Sequence, residues 1–341
     1  MRRLLAYALV IPLAALISCQ KDPQSGKDAS PRELTVLIGT DGFGDGCYND
    51  TMLAGILGFC KAHPEVSLNL CQPESIADAG NRLDAWLADE SGRDRALILA
   101  SNSYSGILQG KPVPGGGRVL LLETDDVFPG YSSYIIRRYG ASWLCGAMSG
   151  YFTAVVLKAM DGNNMIDESE SGFRNGYNAV STGLYTSWTL ADGPEGFAMR
   201  DSTYRFIYNN VEEYIYTQQL VRSILFFPLL GGSLPGVFDY SRYNGFVSIA
   251  GMDVDCAAYN PIVVPYSLCI HNDKVLRNYL EDWVDGKPWP GHAQFGLESE
   301  YVEVVINPDY WFTDQDRRDM NDLYREYYPR AVEMEEAYAA E

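Results

Sequence analysis

Short apolar runs alternate with helix-period patterns along most of the chain. Leu34–Ile38, Val66–Leu70, Ala96–Ala100 and Val119–Leu122 read as buried strands, with helical segments near Thr51–Ala62 and Ser75–Ala88 and a shorter one after Tyr104. This β-α-β-α order predicts a parallel sheet covered by helices on both faces. Ala141–Met160 is a long, mostly apolar stretch and reads as one helix. After it the alternation resumes: a strand at Ala179–Leu184, a helix near Gly193–Asn209, a strand at Ser223–Phe227, a helix near Leu234–Tyr243 and a strand at Phe246–Ala250. Two similar α/β halves follow. From Thr313 onward the pattern is helical and charged, broken at Pro329.

The first 32 residues stand apart. Met1-Arg2-Arg3 supplies positive charge, and the apolar stretch Leu4 to Ile17, 14 residues, is too short to span a bilayer as a helix. It reads as a signal peptide. The following Leu16-Ile17-Ser18-Cys19 resembles the lipobox of bacterial lipoproteins, whose cysteine carries a diacylglyceryl group and becomes the first mature residue. That resemblance makes Cys19 a lipid anchor in the cell envelope, outside the cytoplasm, where several acyl chains give lasting attachment. A soluble secreted protein with an ordinary cleavage site is the alternative. Residues 20–32, rich in Ser, Lys, Asp, Gly and Pro, read as a flexible tether.

Composition removes several function classes. The chain of 341 residues exceeds the size at which one core keeps growing, so two lobes are expected. Lys and Arg total 26 against 45 Asp and Glu, a formal net charge of −19 that repels nucleic acid and anionic lipid headgroups. The 24 Tyr are more than a core needs, so some are expected to face a ligand or partner, the alternative being half-buried surface tyrosines. Beyond Cys19 there are six cysteines and only three histidines, with no CxxC pair and no zinc spacing, so no metal or cofactor is predicted. The even number of these cysteines permits disulfides outside the cytoplasm, but buried free thiols are the expected state for most of them. No GxSxG or HExxH occurs, and an enzyme is not expected.

The turn after the first strand, Thr40-Asp41-Gly42-Phe43-Gly44-Asp45-Gly46-Cys47-Tyr48-Asn49, carries the main chemical signal. Its GxGxG lacks the third glycine of a dinucleotide fingerprint, and no GxxxxGK[ST] occurs in the chain. Asp41 and Asp45 would sit where a phosphate must go. Carboxylates there suit a neutral polyol or a cation, because an ionised carboxylate accepts several hydroxyl hydrogen bonds.

Five segments in order resemble the basic membrane lipoprotein family, the substrate-binding lipoproteins of ABC transporters that include purine nucleoside receptors. They are IGTDGFGDGCYNDTMLAGI, GASWLCGAMSGYF (Gly140–Phe152), GLYTSWTLADGPEGFAM (Gly183–Met199), FFPLLGGSLPGVFD with VSIAGMDVDCAAYNP, and YLEDWVDGKPWPG with FGLESEYVEVVIN (Tyr279–Asn307). The similarity is collinear over about residues 34 to 310. It implies a type I periplasmic-binding-protein fold, two α/β lobes joined by crossing strands with a ligand clamped between them. On that basis the lobes are 33–157 plus 264–288 and 158–263 plus 289–312, followed by a helical tail from 313 to 341.

The same resemblance implies ligand contacts at Asp41, Tyr48 and Asn49 in one lobe, and at Trp188, Gly251 and Asp253 in the other. Tyr48 and Trp188 would sandwich a planar ring while Asp253 takes sugar hydroxyls. The implied ligand is a nucleoside or nucleobase, with a sugar second. The implied partner is an ABC permease, and the chain is expected to act as a monomer. Two family lysines are missing, at Gly46 and at Ile270. Asp253 then lacks its expected cation unless His271 serves through a one-residue shift. No Lys or Arg lies within the matched loops to neutralise a phosphate, so a nucleotide is not expected.

Overall fold

A computed structural model describes residues 32–340 apart from 41, 45, 90–92, 113–116, 219–222 and 311–312. Cys19, the signal segment, Asp41 and Asp45 therefore lie outside the described residues. In chain order the elements are β1 (Arg32–Ile38), α1 (Tyr48–Ala62), β2 (Val66–Cys71), α2 (Ile76–Leu87), β3 (Arg95–Ala100), α3 (Ser105–Leu108), β4 (Gly117–Leu122), β5 (Ser132–Ile136), α4 (Tyr139–Met148), β6 (Thr153–Lys158) and α5 (Asn164–Val180). They continue with β7 (Tyr185–Thr189), α6 (Arg200–Gln218), β8 (Ile224–Leu229), α7 (Leu234–Ser241), β9 (Val247–Ile249), β10 (Gly251–Asp253), β11 (Tyr266–Ile270), α8 (Asn272–Val284), β12 (His292–Phe295), β13 (Val302–Ile306) and α9 (Asp314–Ala339).

The strands form a six-stranded sheet ordered β12-β5-β4-β3-β1-β2, a four-stranded sheet β7-β6-β8-β9, and a three-stranded sheet β10-β11-β13. Both larger sheets are parallel throughout. In the three-stranded sheet β11 pairs parallel with β10 and antiparallel with β13. The inner strands β3, β6 and β8 are buried along their whole length, which is why they read as unbroken apolar runs rather than alternating ones.

The chain passes between the six-stranded sheet's layer and the rest three times. It leaves β5 for α4 at residues 136–139, passes from β11 to α8 at 270–272, where α8 packs on α1, and goes from β12 to β13 across 295–302. Residues 292–295 were expected in the second lobe, yet they form β12 on the edge of the first sheet, in parallel register with β5.

Three expectations change here. Ala141–Met160 is not one helix: α4 ends at Met148 and β6 begins at Thr153. Every residue of α4 and of β6 is buried, so hydrophobicity runs on without periodicity, and only Ser149-Gly150-Tyr151 punctuates it. The strand expected at Ala179–Leu184 begins instead at Tyr185, because α5 runs to Val180. Finally, α9 continues through Pro329, although a proline inside a helix costs about 3 kcal/mol.

Docking on α4 offsets that cost. Tyr338 stacks on Tyr139 at 4.2 Å, Tyr327 meets Trp143 edge-on at 6.3 Å, and the Arg330 guanidinium lies 5.3 Å over the Trp143 ring. The N-terminus of α9 is held by a capping box between Thr313 and Asp316.

On its other side α4 meets α5 at unusually short range. A methyl group on Gly176 would collide with the Trp143 carbonyl, one on Gly172 with the Tyr139 carbonyl, and one on Gly146 with the Phe173 carbonyl. The two helix backbones touch, and only glycine lets them. Gly176→Ala is expected to destabilise the protein by about 3 kcal/mol, because the crossing must open to admit the methyl. Urea denaturation reads this as a lowered midpoint, whereas an unchanged midpoint would place the two helices further apart.

Candidate functional site

A cleft of about 440 Å³ lies where the carboxyl ends of strands from both larger sheets converge. Thr40 follows β1, Ser101 to Ser103 follow β3, Met160 to Ile166 follow β6, and Leu229 to Gly231 close β8. Open parallel sheets place ligands outside these strand ends, where helix N-termini and loop polar groups converge. Tyr48 and Asn49 come from the first turn of α1, Phe197 from a single turn at Pro194–Ala198, and Asp253 from the end of β10.

The glycine-rich turn is built to support this cleft rather than to cradle phosphate. The Asp50 carboxylate accepts hydrogen bonds from the Gly44 and Gly46 N–H groups, each at 2.8 Å, so these two donors already have an anion. Gly42, Gly44 and Gly46 all have positive φ (77°, 92° and 68°), which folds the turn back onto the start of α1. At its tip the turn touches the opposite wall, where the Tyr259 hydroxyl donates to the Gly46 carbonyl at 2.8 Å and the Cys47 thiol lies 3.7 Å from the Gly231 carbonyl.

Two lining residues that the sequence did not reveal are Arg138 and Phe197. Arg138, 5% exposed, stands at the crossing from β5 to α4 and points its guanidinium at Glu123, which is 1% exposed. The pair is bidentate: Nη1 donates to Oε2 at 3.0 Å and Nη2 to Oε1 at 3.1 Å. Glu123 also accepts from the Ile136 N–H at 3.2 Å and the Asn272 amide at 3.0 Å, and Asn272 in turn accepts from the Tyr134 hydroxyl at 2.8 Å. Burial alone would lower the Arg138 pKa, but the Glu123 carboxylate outweighs it and holds the guanidinium above its ordinary value, with Asp253 adding to the effect.

Arg138 therefore supplies the cation that the sequence left missing beside Asp253. Ile270 is buried, and His271 turns away to bring Nε2 within 2.9 Å of Glu303 Oε1, so neither takes that place. Glu123 and Asp253 both adopt positive φ, 59° and 66°. Left-handed backbone costs a non-glycine residue about 1–2 kcal/mol, and such strain concentrates at sites where function fixes the geometry.

The other expected contacts divide. Tyr48, Asn49 and Asp253 line the cleft. Asp41 lies outside the described residues. Trp188 is not a lining residue: it sits on the edge strand β7 with its ring edge-on to Tyr214 at 5.7 Å and 6.4 Å from Phe226, on the face that α6 covers. A second aromatic lining residue is Phe197, nine residues after Trp188 in the same segment. Gly251 does not line the cleft either. A side chain there would strike Ser267 and Cys256, so this glycine allows β10 to pack closely beneath the site.

Among the described lining residues the charged ones are Arg138 and Asp253, and behind the wall Arg138 is already paired with the buried Glu123. The other polar groups of the described lining are amides and hydroxyls, among them Thr40, Asn49, Ser101, Asn102, Asn163 and Ser169. The Asn163 side chain already caps α5 by accepting from the Met165 and Ile166 N–H groups at 3.1 and 3.4 Å, so that helix start is satisfied within the chain.

No protein-family model and no curated protein sequence matches this chain. Solved structures do. A solute-binding protein of an ABC transporter system from Aeropyrum pernix K1 aligns with a TM-score of 0.66 at 15% identity, covering 90% of this chain and 97% of its own. An ABC transporter periplasmic solute-binding protein from Actinobacillus succinogenes 130z with bound D-allose aligns at 0.60 and 12% identity, over 82% and 99% of the two chains. The fructose-binding periplasmic domain of a hybrid two-component system aligns at 0.58 and 14%, over 89% and 99%. This chain has the type I periplasmic-binding-protein fold, an α/β architecture whose two larger sheets are parallel.

Removing Glu123 would leave the Arg138 charge buried without its bidentate partner. Glu123→Ala is expected to cost about 3–5 kcal/mol in chemical denaturation. The double variant Glu123→Ala with Arg138→Met should recover part of that loss, since no orphaned charge remains. Additive losses would mean the pair is not coupled.

Proposed function

We propose that this protein binds a small, uncharged, ring-bearing solute in the cleft and does not transform it. The observation that carries this reading is the meeting, in one cleft, of two aromatic side chains, Tyr48 and Phe197, with a buried Arg138–Glu123 pair and the Asp253 carboxylate. Aromatic faces grip a planar or apolar ring face, and base stacking on such a face is worth about 1–3 kcal/mol. Carboxylate, guanidinium and side-chain amides then fix hydroxyls and ring nitrogens. Because Glu123 already neutralises Arg138, the Asp253 carboxylate repels phosphate or carboxylate ligands in a partly desolvated space.

A nucleoside or nucleobase fits this combination first, because it offers both a flat heteroaromatic ring for Tyr48 and Phe197 and, in the nucleoside, vicinal hydroxyls for Asp253. A monosaccharide is the second reading, and the D-allose and fructose ligands of the similarly folded proteins favour it. In the transport setting an ABC permease receives the solute. In the sensing or scavenging setting it is passed to another partner, and a permease and ATPase encoded beside this gene would separate the two. We further propose that Cys19 carries the lipid anchor and that the folded part works as a monomer outside the cytoplasm.

A thermal-shift screen of the lipid-free chain against nucleosides, nucleobases, sugars and amino acids tests the reading, since a ligand stabilises by RT ln(1 + [L]/Kd). Adenosine or inosine is expected to raise Tm where AMP does not, and selective stabilisation by AMP contradicts the charge argument. Tyr48→Ala and Phe197→Ala should each weaken binding about ten- to a hundredfold by calorimetry. Trp188→Ala should lower stability and leave affinity near its starting value. For the anchor, Cys19→Ala is expected to leave the protein unprocessed or shed from the membrane fraction; an acylated, membrane-bound variant would disprove it.

A further inference from the structure

The start of α4, which carries Arg138 into the cleft, is held by carboxylates from two other elements. Glu168 of α5, 4% exposed, accepts from the Arg138 N–H at 2.6 Å and the Tyr139 N–H at 3.0 Å. Glu335 of α9, 8% exposed, accepts from the Gly140 N–H at 3.1 Å through Oε1 and from the Leu297 N–H at 2.6 Å through Oε2. These two contacts lie on different crossings between the layers: Gly140 follows β5, and Leu297 follows β12. The Tyr328 hydroxyl adds a bond from α9 to the Leu297 carbonyl at 3.2 Å.

The space for Glu335 is built into the chain. A Cβ on Gly140 would fall 2.8 Å from Glu335 Cβ and 2.9 Å from the Ala331 carbonyl, and one on Gly296 would strike the Glu335 carboxylate. Two glycines on separate crossings thus leave room for one side chain of the C-terminal helix. Glu123 plays the matching part from inside, since it accepts from Ile136 and Arg138 on the first crossing and from Asn272 on the second. Between them the two carboxylates touch all three crossings, and both act on the segment 136–140.

We propose that Glu335 is a positioning residue for the cleft: the docked C-terminal helix, through Glu335, fixes the first turn of α4 and with it the orientation of the Arg138 guanidinium. Only the affinity arm of its test rests on the reading of the cleft as a solute site. Burial pushes the Glu335 carboxyl up to about 7, opposed by its two backbone donors. The groups that face it are Glu168 from α5, Arg137 from the first crossing and Tyr328 from its own helix. As pH rises through neutrality Glu335 ionises and grips the Gly140 and Leu297 N–H groups more strongly.

The test uses the full chain without its lipid and follows the Arg138 guanidinium by nitrogen NMR, where the bidentate Glu123 pair slows its exchange. Glu335→Ala is expected to shift and broaden these signals, and Glu335→Gln, which keeps one acceptor, to restore them in part. In the wild type they should move with pH between about 6 and 8, and in Glu335→Gln they should stay constant. Unchanged Arg138 signals alongside faster exchange of the Gly140 and Leu297 amides would reduce Glu335 to a local cap and overturn the proposal. If Glu335→Ala does not fold, the Gln variant and the wild-type pH series decide alone. In the affinity arm, whichever of adenosine, inosine, D-allose and D-fructose stabilises the wild type should bind Glu335→Gln about two- to thirtyfold more weakly. If none stabilises the wild type, the solute-binding reading fails while the guanidinium signals still judge Glu335.

Discussion

A guanidinium can be buried only where its charge and its five N–H donors are met. In this protein Glu123 meets the charge and takes a hydrogen bond from each Nη, the Ile136 carbonyl accepts a further one from Nη1 at 2.8 Å, and the demands of that pair run through the fold. Glu123 takes a left-handed backbone to aim both carboxylate oxygens at Arg138. Its remaining lone pairs draw in the Ile136 N–H and the Asn272 amide, which ties the exit of β5 to the start of α8. The result is a fixed cation on the cleft wall beside Asp253, with no lysine or histidine among the described lining residues.

The same segment explains the close helix packing behind it. Arg138 is the residue immediately before α4, and every residue of α4 is buried. Its first amides are satisfied by Glu168 and Glu335, and its flank is pressed against α5 through Gly146, Gly172 and Gly176. The tail helix α9 stays continuous across Pro329 because Tyr338, Tyr327, Arg330 and Glu335 all find partners on α4 or beside it. Local propensity yields to packing, as it often does when a helix buries a whole face.

How much of this could be read from the sequence depended on whether the signal was local. The turn Thr40–Asn49 announced itself through glycines, carboxylates and an aromatic-amide pair next to a strand, and Tyr48 and Asn49 do line the cleft. Asp253 was equally legible at the end of a short strand. Trp188 misled because an aromatic on an edge strand can face either side, and pairing with β6 turns it toward α6 and Tyr214. Phe197 follows a Gly-Pro turn that gives no sign of which wall it lines. Arg138 was illegible for a deeper reason: in Arg137-Arg138-Tyr139 nothing distinguishes the arginine that pairs with Asp125 near the surface from the one that pairs with Glu123 inside. Only the meeting of distant segments separates them. The boundary between α4 and β6 was lost for a similar reason, since complete burial erases the periodicity that would mark it.

The account's central claim is that the buried Arg138–Glu123 pair and Asp253 form the polar wall of a solute cleft faced by Tyr48 and Phe197. A crystal structure of the protein with a compound that stabilises it tests this most directly. The account predicts a ring lying between Tyr48 and Phe197, with a hydroxyl or ring N–H on the Asp253 carboxylate and the Arg138–Glu123 pair unbroken beneath it. A ligand held outside this cleft, or an anionic group seated on the Gly42–Gly46 turn with Asp50 displaced, would contradict it.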